Sequence, residues 1–64
     1  MHLSSWPGYN ALAERVKAKA SRLYDAGIGE VYAIDSAVNQ ELAKLGKTDD
    51  AELREQLKQE AKRS

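Results

Sequence analysis

Arg15, Lys19 and Arg22 recur at spacings of four and three, so on a helix they form a single cationic stripe. A stripe of that kind suits an array of phosphates or an acidic helix, because both present negative charge along a line. Acids of the second kind occur in the chain itself, where residues 28–43 hold three and no Lys or Arg. The stripe is therefore a candidate partner-binding element for another protein, a second copy included, with DNA as the alternative ligand.

Two further features point to contacts rather than to chemistry. Tyr32 and Asn39 lie seven residues apart, which places them on one flank of a helix as a polar-aromatic patch. Trp6 stands alone near the start of the chain; an indole there either folds back on the core or anchors an interface, where Trp is enriched.

Catalytic groups are harder to assemble. His2 is the one imidazole and stands beside the first residue, too poorly held to serve a Ser-His-acid triad or to join the three protein ligands that catalytic zinc needs. Asp25, Glu30, Asp35 and Glu41 supply carboxylates, but acid and base roles require burial that drives their pKa values apart, and a chain this short offers little cleft. Gly27-Ile28-Gly29 lacks the Gly-Lys-Ser/Thr that completes a phosphate loop, so it reads as a helix stop and a tight turn. No catalytic residue, metal or cofactor is expected, and the chain reads as a non-enzyme.

The elements that must carry the stripe and the patch follow from apolar spacing. Over residues 10–26, Leu12, Val16, Ala20 and Leu23 predict a helix whose apolar arc also takes in Ala13 and Tyr24. Asn10 is the expected N-cap after the Pro7-Gly8 turn, and Gly27 the stop, with Ile28 folding onto Leu23 as in a Schellman closure. Over residues 30–45, Val31, Ile34, Val38, Leu42 and Leu45 form a second stripe that ends at Gly46. The β-branched and aromatic run Val31-Tyr32-Ala33-Ile34 allows a short strand instead, with Asp35 capping a shorter helix, but such a strand has no partner to pair with. Residues 50–62 form the third predicted helix, opened by Asp49 and Glu52 in a capping-box pattern and carrying only the narrow ridge Leu53, Leu57, Ala61. Residues 1–8 are left as a tail or a hydrophobic lid.

The helix joined to a helix by a Gly-containing turn has the outline of a DNA-reading motif. Its chemistry argues otherwise, since Glu30 and Asp35 open the second helix and would repel the phosphate backbone.

Composition narrows what such helices can do alone. The 64 residues carry ten Lys and Arg against ten Asp and Glu, and seven Leu, two Ile and three Val must form the core with ten Ala. Ala favours helix but buries little surface. Without Cys for a disulfide or ligands for a structural metal, a small core is helped mainly by association. The expectation is a homodimer that buries part of the Val31 to Leu45 stripe. No run of 18 apolar residues is present to cross a bilayer, and MHLSSWPG has neither the basic start nor the apolar stretch of a signal peptide. A cytoplasmic setting and no membrane partner are therefore expected.

The sequence thus predicts a single all-α domain over residues 1–64, a small helical hairpin or three-helix bundle. Its expected role is that of a non-catalytic protein-protein interaction module, an accessory or inhibitory regulatory factor acting by helix docking. The alternative is a small DNA-binding regulator that uses the basic stripe. The candidate contact residues are Arg15, Lys19, Arg22, Trp6, Tyr32 and Asn39.

Overall fold

A computed structural model of the chain describes residues 7–63. Trp6 and His2, with the rest of residues 1–6, lie outside the described residues. Three helices follow one another, α1 Tyr9–Asp25, α2 Glu30–Leu45 and α3 Ala51–Arg63, and no strand is present among the described residues. The fold is an all-α three-helix bundle. Residues 31–34 belong to one continuous helix, because Ile34 must face the same core as Val38 and Leu42. Among the described residues, no helix is long and apolar enough to cross a membrane.

The stops are glycines in the left-handed conformation, which costs them nothing for want of a Cβ. At Gly27, φ is 99° and the Ile28 N–H donates to the Leu23 carbonyl at 3.1 Å, the six-to-one bond of a Schellman closure. Gly46 repeats the device, with φ 67° and the Lys47 N–H donating to the Leu42 carbonyl at 2.9 Å.

The starts differ from expectation at two places. Helix α1 begins one residue before Asn10: Gly8 occupies the cap with no side-chain bond, and its carbonyl accepts the Leu12 N–H at 3.0 Å. The cause is Tyr9, whose ring is drawn into the core and so must stand on the helix. At α3 the cap is Asp50, not Asp49. The Asp50 N–H donates to the Lys47 carbonyl at 3.1 Å, closing a turn that leaves Asp49 at its corner. Asp50 Oδ1 then accepts the Leu53 N–H at 3.0 Å. With Leu53 at the third helical position no reciprocal capping box forms, and Glu52 sits in the first turn near the positive end of the helix dipole.

The core is built from Tyr9, Leu12, Ala13, Val16 and Ala20 of α1, Ile34, Ala37, Val38 and Leu42 of α2, and Leu53 and Leu57 of α3, with Ala61 packed at its edge. The buried face of α2 is rotated from the predicted stripe. Ala33 and Ala37 are inside, whereas Val31 is 69% and Leu45 42% exposed. Helix α2 lies between two neighbours, with Ala33 beside Ala20 of α1 and Val31 and Asp35 on the flank facing Lys58 of α3. Two Ala on the α1 side permit the close approach that a larger side chain would prevent. Tyr24, also expected on a buried arc, is 60% exposed, since it stands in the last turn of α1 beyond the end of the core.

Candidate functional site

Two regions depart from an ordinary helical surface. The first is a charge cluster between α1 and α2. Glu41 stands seven residues after Ile34 and three after Val38, so it lies on the apolar face, and it is the one charged side chain buried among the described residues. Arg15 Nε approaches its Oε1 at 3.0 Å, while Lys19 Nζ and Lys44 Nζ each approach its Oε2 at 3.1 Å. Burial by itself would raise the Glu41 pKa, but hydrogen bonds from Arg15, Lys19 and Lys44 outweigh it and hold the carboxyl at about 2. A group so firmly ionised is unsuited to proton transfer near neutral pH. Its effect is to tie α1 to α2.

The predicted stripe is thereby divided. Arg15 and Lys19 meet the acidic middle helix of their own chain, and Arg22 remains exposed with no ion pair among the described residues. Sequence reading counted Glu41 only among the carboxylates and missed its burial, although its register with Ile34 and Val38 was the available signal: an acid on an apolar face needs cations opposite it.

The second region is the end of the bundle around the α1–α2 turn. Tyr24, Ile28, Val31 and Tyr32 are 60%, 38%, 69% and 76% exposed, and they fall within nine consecutive residues. Between α1 and the first turn of α2 runs a groove of about 460 Å³, floored by Ala20, Ala33, Ile34 and Ala61 and flanked by Tyr24 and Glu30. A second groove, between α2 and the last turns of α3, is lined by Val31, Tyr32, Ile34, Asp35, Glu55, Lys58 and Lys62. Ile34 lines both grooves.

Tyr32 leans over the turn, its Cδ2 being 3.7 Å from where a Cβ on Gly29 would stand. Asn39 does not reach it. Its Nδ2 donates to Asp35 Oδ2 at 3.4 Å, and Asp35 Oδ1 in turn receives Lys58 Nζ at 3.0 Å. The expected Tyr32 and Asn39 patch is therefore two features, an exposed aromatic at the turn and an amide held within α2.

Among the described residues, no group of three or more His, Cys, Asp or Glu is placed to hold a metal ion. No family model matches this chain, and no curated protein or solved structure matches it.

Proposed function

We propose that the chain is a small non-catalytic interaction module of the cytoplasm, an accessory or inhibitory factor that docks a partner protein through the apolar end of its bundle. The observation that carries this reading is the concentration of exposed large side chains at one place. Tyr24 lines one groove, Val31 and Tyr32 line a second, Ile34 lines both, and Ile28 stands exposed in the turn between the two helices. Contiguous apolar surface of this kind mostly marks a contact site, and Tyr is among the residues that anchor one. Arg22 and the exposed side of Arg15 sit on the neighbouring helix and supply charge for orientation.

The DNA-binding alternative is weakened by the Glu41 carboxylate, which already engages Arg15 and Lys19. A phosphate backbone would have to compete with it.

Affinity capture from extract of the native host tests the proposal, using as baits the full chain and a Val31→Lys, Tyr32→Ser variant with unchanged helical circular dichroism. A protein retained by the first bait and released by the second is expected. Equal retention by both, or retention of duplex DNA by both, would overturn the reading.

A further inference from the structure

We infer that the occupant of the apolar end is a second copy of this chain, packed about a two-fold axis that lies in the face between the two grooves. The inference rests on the reading of that end as a docking surface, and charge carries it further. Glu30 flanks the first groove and Lys62 the second, on opposite sides of Ile34. Neither has an ion pair among the described residues, whereas Glu14 pairs with Lys17 at 3.3 Å, Asp35 with Lys58 at 3.0 Å and Glu55 with Lys58 at 4.0 Å. A two-fold axis between the grooves lays the rim of one over the opposite rim of the other. Glu30 of each copy then meets Lys62 of its mate, and the two unpaired charges are satisfied twice. No other partner is guaranteed to carry that pattern.

The remaining terms agree. The chain has ten positive and ten negative side chains, so self-association meets no net repulsion. A Tyr buries roughly 150–250 Å², so Tyr24 and Tyr32, at 60% and 76% exposed, bring roughly a third of the about 800 Å² per partner that a stable interface uses. Ile28, Val31 and the groove walls lie beside them to extend that area.

Sedimentation equilibrium of the full chain over micromolar to millimolar concentration tests the inference. The mass of two chains is expected to appear. Val31→Ser with Tyr32→Ser should weaken the dimer about tenfold or more, consistent with the loss of central apolar anchors. Glu30→Lys and Lys62→Glu should each weaken it about threefold to tenfold, as expected for a rim ion pair present twice. The double swap, Glu30→Lys with Lys62→Glu, should restore wild-type association, because each copy again offers both signs. A single-chain mass throughout, a dimer indifferent to the Val31 and Tyr32 changes, or a double swap no better than its worse single change would overturn it. If the chain is monomeric and yet captures a host protein in a Tyr32-dependent manner, self-association fails while the module reading stands.

Discussion

Arg15 Nε and Glu41 Oε1 meet at 3.0 Å across 26 residues of sequence, linking α1 to α2 beside their apolar contact. Lys19 and Lys44 complete the shell around the same carboxylate. Replacing Glu41 leaves three cations facing an apolar interface, though Arg15 and Lys44 are exposed enough to turn to water. Glu41→Gln should therefore cost about 1–3 kcal/mol, below the range for a pair whose survivor stays buried. Arg15→Ala or Lys44→Ala should cost less than about 1 kcal/mol each, as partly exposed partners of a carboxylate that keeps two others. Urea denaturation with an unchanged m-value measures the difference.

The same carboxylate sets the acid limit of the fold. Its pKa is about 2 in the folded chain against an ordinary 4.5, so the folded state binds the proton less readily than the unfolded one. The stabilisation is present above about pH 4.5 and is lost as pH falls toward 2. Unfolding free energy measured between pH 6 and pH 2 should fall steeply in the wild type and less steeply in Glu41→Gln. Parallel curves would remove Glu41 from the account.

Leu42 and Val31 share one sequence stripe and have opposite environments. Leu42 is fully buried and Val31 69% exposed. Leu42→Ala should cost about 2–5 kcal/mol, as a cavity at the centre of a small core, which is enough to unfold a marginal domain. Val31→Ala should change the stability of the single chain by less than about 0.5 kcal/mol, as an exposed substitution. Thermal melts at low concentration compare the two.

Gly27 stands at φ 99° with nothing within 4 Å of an added Cβ, so a side chain there meets backbone strain without collision. Gly27→Ala should cost about 1–2 kcal/mol, the penalty for an L-residue in the left-handed region. Gly27→Asn should recover part of it, because Asn tolerates that region better. Chemical denaturation of the two variants gives the values.

The helices and their stops were legible because they depend on local signals. Gly27 and Gly46 end helices for reasons of backbone conformation that the sequence states directly, and the extent of α2 matched its prediction at both ends. The starts were less legible: Asn10 and Asp49 both had the chemistry of caps, but the burial of Tyr9 and the turn closed by Lys47 and Asp50 decided the matter. Tertiary choices were hidden in the same way. A single-helix wheel places Val31 and Tyr24 on buried faces, yet it carries no information about where neighbouring helices end. Arg15 and Lys19 were recognisable as a stripe, but their acid lay on the next helix. Of the apolar end, Tyr32 was legible as a contact residue, but Tyr24 and Val31 were not, because their exposure depends on where the neighbouring helices end.

Photo-crosslinking from single sites in the native host tests the central claim most directly. A benzoyl-phenylalanine placed at Tyr32 should give a discrete adduct, with another protein or with a second copy. The same probe at Gln59, on the exposed side of α3, should give none. An adduct from Gln59 with nothing from Tyr32 would contradict the assignment of the apolar end as the docking surface.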